Sequence, residues 1–208
     1  MKKLFLAAVM ACTAAGTAAQ TLKGDAAAGE QNVAVCAACH GADGNSPAPN
    51  FPKIAGLGEK YLLQQLQYIR DGLRPIPEML GQLDNMSDQD LADIAAFYNE
   101  QSRSIQQADA DMLALGEKVY RAGVAERNVA ACIACHSAQG DGNDPAGFPA
   151  LGGQYAEYIA AQLRAYRQGY EDPAGRVTDG DTRIMRSNAF GLSDMEIDAV
   201  AAYISGLN

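Results

Sequence analysis

Four of the five cysteines and both histidines of this 208-residue chain fall in two short strings, Cys36-Ala37-Ala38-Cys39-His40 and Cys132-Ile133-Ala134-Cys135-His136. Cys-x-x-Cys-His is the attachment pattern of c-type haem. The spacing has a chemical reason. Two thiols in one helical turn can reach the two vinyl groups on one edge of a porphyrin, and the next residue then aims its imidazole at the iron. A zinc site would have to draw together motifs 96 residues apart and leaves the matched histidines unexplained. A thioredoxin-like dithiol wants a βαβ context, which the pattern lacks. A disulfide within each motif ignores the histidines. The expected cofactors are therefore two covalently bound haem c groups, held by Cys36, Cys39, Cys132 and Cys135.

With His40 and His136 on one face of each iron, a low-spin haem needs a ligand on the other. Methionine is the natural candidate, because its thioether raises the reduction potential. Met79 stands eight residues before Ser87, and Met185 stands eight before Ser193. They are the methionines that repeat together, so the axial iron ligands are read as His40, Met79, His136 and Met185. Met86 pairs instead with Leu192, just before the serines, where an apolar residue staples onto the following helix. Met112 and Met195 are read as packing or surface residues on helices.

The rest of the chain must position these groups, and it does so twice. Asn32-Val33-Ala34 returns as Asn128-Val129-Ala130, and Phe51-Pro52 returns as Phe148-Pro149. Gly56, Tyr61, Gln65, Leu66, Arg70 and Gly72 return 97 residues on as Gly153, Tyr158, Gln162, Leu163, Arg167 and Gly169. A period this long means two tandem copies of one small domain, not a solenoid. The pattern is helical. Leu62, Leu66 and Ile69 form an apolar stripe ending at Gly72. Ser87-x-x-Asp90 and Ser193-x-x-Glu196 are capping boxes that open the last helix of each copy. Helices are also expected near Asp25–Val33 and around Met112–Val119, and no alternating run makes a strand. The expected division is 20–100 for the first copy, 101–107 for a polar linker and 108–208 for the second.

Met1-Lys2-Lys3, an apolar run from Leu4 to Ala15 and small residues to Ala19 follow the plan of a secretory signal peptide over residues 1–19. The run is too short to span a bilayer. The expected location is the periplasm, with a lipid anchor at Cys12 as the alternative. Residues 20–104 hold 11 acidic against 6 basic side chains, and residues 105–208 hold 14 against 8. Two acidic halves speak against nucleic acid or an anionic membrane face as a partner. Such a chain is expected to be soluble or weakly membrane-associated.

Two such domains, each with a methionine ahead of a Leu/Met-Ser-Asp helix, resemble the cytochrome c4 family. The stretches Cys36–Ser46 and Phe51–Gly56 are especially similar, and the likeness covers nearly all of the mature chain. The resemblance implies an all-α fold of two class I cytochrome c domains about a pseudo-twofold axis. It implies that Pro52 and Pro149 accept a hydrogen bond from the axial histidines. It also implies that Gly29 and Gly116 let the first and last helices of each copy touch, near Phe97 or Tyr98 and Tyr203. The function implied is single-electron transfer, from a cytochrome bc complex to a terminal oxidase. Iron held by His and Met has no open position, so the chain is expected not to be an enzyme. The alternatives are the di-haem subunit of a flavocytochrome dehydrogenase and a di-haem peroxidase. The second copy departs from the first: its His-to-Met interval is 49 residues against 39. Gly140–Asp144 has an Asp/Gly composition that suits calcium but lacks EF-hand spacing.

Overall fold

The structure is a computed structural model that describes residues 22–207. The leader at residues 1–19 and Cys12 lie outside the described residues. Helices α1 (Ala26–Asn32), α2 (Ala34–His40), α3 (Glu59–Arg70) and α4 (Asp88–Asn99) build the first copy. Helices α5 (Leu113–Ala122), α6 (Ile133–His136), α7 (Ala156–Gln168), α8 (Ile184–Phe190) and α9 (Asp194–Ser205) build the second. The β pairing among the described residues is limited to two isolated bridges.

Both capping boxes form. The Ser87 hydroxyl accepts from the Asp90 amide at 3.2 Å, and the Asp90 carboxylate accepts from the Ser87 amide at 2.8 Å. Ser193 and Glu196 repeat this at 3.3 and 2.9 Å. Behind the boxes, Leu91, Ile94 and Ala95 on α4 and Ile197, Val200, Ala201 and Ile204 on α9 are buried. Each stripe anchors its own apolar cluster. Helix α3 stops where Gly72 takes a positive φ of 74°, the left-handed position that glycine adopts without steric cost.

The first and last helices of each copy touch at a glycine. A Cβ on Gly29 would lie 2.1 Å from the Asp93 carbonyl oxygen, and one on Gly116 would lie 2.1 Å from that of Ala199. The obstacle is backbone, which cannot rotate away. Gly116→Ala should therefore destabilise the chain by about 1–3 kcal/mol, the usual cost of overpacking. Helix propensity alone would favour alanine by about 1 kcal/mol. A urea midpoint equal to or above that of the parent would show that α5 and α9 do not pack this closely.

The connecting segment 101–107 is a strap bonded to both copies, not a loose tether. The Ser104 amide donates to Asn45 Oδ1 at 2.7 Å, and Asn45 Nδ2 donates to the Ser102 carbonyl at 2.9 Å. The Gln106 amide donates to the Ser205 carbonyl at 3.2 Å. Arg103 donates to the carbonyls of Gly56 and Gly152, one in each copy. Lys53, 1% exposed, buries its ammonium against the carbonyls of Ser104 and Gly153 at 2.5 and 2.9 Å. The copies also join directly. The Lys53 amide donates to Gln154 Oε1, Gln154 Nε2 returns a bond to the Lys53 carbonyl, and the Ala150 amide donates to the Leu57 carbonyl.

Helix α8 was not expected from the sequence. The extra residues of the second copy form a turn at Gly180–Thr182, and Asp179 accepts from the Arg186 amide and Nε at 2.9 and 2.6 Å. Met185 thus stands in the first turn of a helix, whereas Met79 ends a 3-10 turn at Pro77–Met79.

Candidate haem sites

Helix α2 sets the first site. Cys36 and Cys39 are three residues apart on it, which places both thiols on one face, and His40 is its last residue. The chain then turns away at Gly41, whose φ is +80° and whose amide caps the Ala37 carbonyl at 3.0 Å. His40 Nδ1 lies 2.8 Å from the Pro52 carbonyl oxygen. A carbonyl only accepts, so the proton sits on Nδ1 and the Nε2 lone pair is left available to a metal. The second copy repeats the arrangement, with His136 Nδ1 at 2.8 Å from the Pro149 carbonyl. Phe51 and Phe148 stand against the two imidazoles, at centroid distances of 6.4 and 6.2 Å.

Burial holds both imidazoles below the ordinary histidine pKa, with the proline carbonyls opposing the shift. Both rings are therefore neutral at physiological pH, the form that ligates iron. Burial raises the Cys36 thiol and pushes Cys132 up to about 11. A redox-active dithiol needs the opposite, a lowered pKa. Among the described residues, no three His, Cys, Asp or Glu side chains gather as a metal-binding cluster.

In the first copy, Cys36, Cys39, His40 and Met79 line one cavity of about 580 Å³. Its walls include Leu62, Leu66, Ile69 and Ile94. Tyr98 also lines it, and its buried hydroxyl has no protein partner. A large apolar cavity with two thiols, a neutral imidazole and a thioether on its walls suits a covalently attached haem. Met86 packs instead against the apolar cluster of the first copy, as a staple would. In the second copy Cys132 packs against the core, His136 is buried and Met185 is half-buried on α8, which lies against α7. Met195 is exposed.

The sequence analysis assigned no role to several groups that reach the first cavity from the second copy, Tyr158, Gln162 and Arg176 among them. One signal was available: Gln65 and Gln162 recur in register on helices whose inner faces are otherwise apolar.

An all-helical duplicated chain with a Cys-x-x-Cys-His site in each half defines a di-haem c-type cytochrome. The cytochrome c family model matches residues 26–101 and again 113–208. Cytochrome c4 of Pseudomonas aeruginosa is 54% identical over 185 residues, covering 89% of this chain and 90% of that protein. The crystal structure of reduced recombinant cytochrome c4 from Pseudomonas stutzeri superposes with a TM-score of 0.85 at 52% identity, covering 89% of this chain and all of that one. A thiosulfate dehydrogenase electron acceptor of Thiomonas intermedia is 36% identical over 187 residues, covering 86% of this chain and 81% of that protein. The chain belongs to the cytochrome c4 family. It is an electron-transfer protein, not an enzyme, and carries two covalently bound haem c groups.

Proposed function

We propose that this chain is a periplasmic carrier that passes single electrons along a respiratory chain, from a cytochrome bc complex to a terminal oxidase. Cys36 and Cys39 hold one haem and Cys132 and Cys135 the other, with His40/Met79 and His136/Met185 as axial ligands. The supporting observation is the meeting of Cys36, Cys39, His40 and Met79 on one cavity, with the imidazole oriented by Pro52. When bound, each haem supplies an iron that gains or loses one electron. The protein does the rest. His40 with Met79, and His136 with Met185, would hold the iron and leave no ligand position for substrate. The proline carbonyls fix the ring planes, and the apolar walls exclude water.

Leu73, on the cavity wall, is 59% exposed, and Leu80, next to Met79, is 85% exposed. Docking through such an apolar rim predicts an electron-transfer rate almost flat in salt. Between 0.01 and 0.15 M the Debye length falls from about 30 to about 8 Å, enough to suppress charge steering. Stopped-flow reduction of the holoprotein by a purified bc complex checks both points. Fast uptake of two electrons per chain supports the reading. Slow uptake, or a steep fall with salt, counts against the partner or the apolar rim respectively.

A second reading is favoured by the thiosulfate dehydrogenase relatives: electron acceptor for a periplasmic oxidising enzyme. Faster reduction by such a dehydrogenase than by the bc complex would establish it.

A further inference from the structure

The carbonyl that faces each motif histidine belongs to a peptide unit whose amide is bonded to the other copy. In the first copy that unit is Pro52–Lys53. Its carbonyl accepts from His40 Nδ1 at 2.8 Å, and its amide, that of Lys53, donates to Gln154 Oε1 of the second copy at 3.0 Å. In the second copy the unit is Pro149–Ala150. Its carbonyl accepts from His136 Nδ1 at 2.8 Å, and its amide, that of Ala150, donates to the Leu57 carbonyl of the first copy at 3.2 Å. Leu57 and Gln154 are themselves a pair in the 97-residue register. The arrangement is therefore reciprocal, with each proline peptide met by the same position of the other copy.

The two acceptors differ in kind. The second copy's peptide rests on a main-chain carbonyl, which any residue supplies. The first copy's peptide rests on a side chain. Gln154 is 3% exposed and held at both ends of its amide: Oε1 also accepts from the Tyr155 amide at 3.1 Å, and Nε2 donates to the Lys53 carbonyl at 2.7 Å. The neighbouring Gly153 amide donates to the Ile204 carbonyl at 3.2 Å, which ties this stretch to α9. Amide and carbonyl of one peptide are conjugated, so an acceptor on the N–H makes the C=O a stronger acceptor in turn. A stronger acceptor draws harder on the imidazole Nδ1 proton and makes the ring a more basic ligand.

We propose that Gln154 is a positioning residue for the first copy's haem iron, acting from the second copy through the Lys53 amide, the Pro52 carbonyl and His40. This rests on the reading of His40 as an axial ligand. A more basic imidazole favours ferric iron, so the Gln154 bond lowers the potential of the first haem. The second haem has no side chain in the corresponding place, so this control acts on one iron alone.

The test uses holoprotein carrying Gln154→Met, which keeps the volume and removes acceptor and donor together. Proton NMR of the reduced, diamagnetic protein reads the Nδ1–H resonances of His40 and His136, and spectroelectrochemical titration reads both potentials. The His40 resonance should move upfield and the first potential should rise, while His136 and the second potential stay at parent values. Gln154→Glu keeps an acceptor for the Lys53 amide. It should leave the His40 resonance at or downfield of its parent position, and it supplies the reading if the methionine variant does not fold. Lys60→Ala cuts a different contact between the copies, from Lys60 Nζ to the Pro145 carbonyl at 3.0 Å, and should move neither resonance. If Gln154→Met lowers only thermal stability, Gln154 is an interface pin and the proposal fails. Equal shifts at both histidines would mean a loosened interface and would overturn it too. Mass measurement keeps the two readings apart: a chain without two haem adducts refutes the haem reading, whereas unchanged resonances in a two-haem chain refute the relay alone.

Discussion

A chain with Cys36 and Cys39 both replaced by alanine is expected to carry one haem adduct instead of two, and to lose the fold of its first copy. The thioether bonds are the covalent hold on that haem, so its loss follows from the chemistry of attachment. The loss of fold follows from burial. A cavity of about 580 Å³, open to solvent, is lined by apolar residues of α2, α3 and α4 and, from the second copy, by residues of α7. Each large apolar wall residue left facing water forgoes about 1.5–3 kcal/mol of burial. A domain is stable by about 5–15 kcal/mol in total. Several such residues left without the haem amount to a cost comparable with the whole stability of the first copy. The second copy keeps its own cysteines, histidine and apolar cluster. Mass spectrometry should show a single adduct, and circular dichroism should lose close to half its helical signal, since α1–α4 hold close to half of the helical residues. Two adducts, or an unchanged spectrum with one, would sink the argument.

Much of this was legible in the sequence because the groups concerned are local. The Cys-x-x-Cys-His strings occupy one turn of helix, and the capping boxes span four residues, so spacing alone placed them. Gly29 and Gly116 were legible only through family resemblance, because a close helix crossing joins residues more than sixty positions apart. The segment 101–107 shows the limit. It is polar and aperiodic, which suits a tether, yet its backbone and Arg103 find partners in both copies. No local signal distinguishes a strap from a tether, since the difference lies in what the distant chain offers. Arg176, on the wall of the first cavity, escaped for a related reason. Extra residues in the second copy break the 97-residue offset between it and Arg74, so register does not pair them. Helix α8 comes from the same extra residues, held by the Asp179–Arg186 ion pair at 2.6 Å.

Replacing Met79 with alanine should remove half of the sulfur-to-iron charge-transfer band and lower one of the two reduction potentials. The thioether is a soft ligand that favours ferrous iron, and axial ligands command a span of about 0.8 V. A fall on the order of 0.1–0.2 V in one haem is expected, with the other moved far less. Met185→Ala should do the same to the second haem. That assignment bears more weight, because Met185 sits on α8 and Met79 on a 3-10 turn, so the two do not share a local backbone. What they share is the distance to the capping serine that fixes the last helix. Met86 supplies the control. It packs against the first copy's apolar cluster, so Met86→Ala should cost about 1–2 kcal/mol of stability, less than a fully buried methionine, and leave both potentials in place. The opposite pattern, with the charge-transfer band lost in Met86→Ala and kept in Met79→Ala, would mean that the iron draws its sixth ligand from beside the capping box.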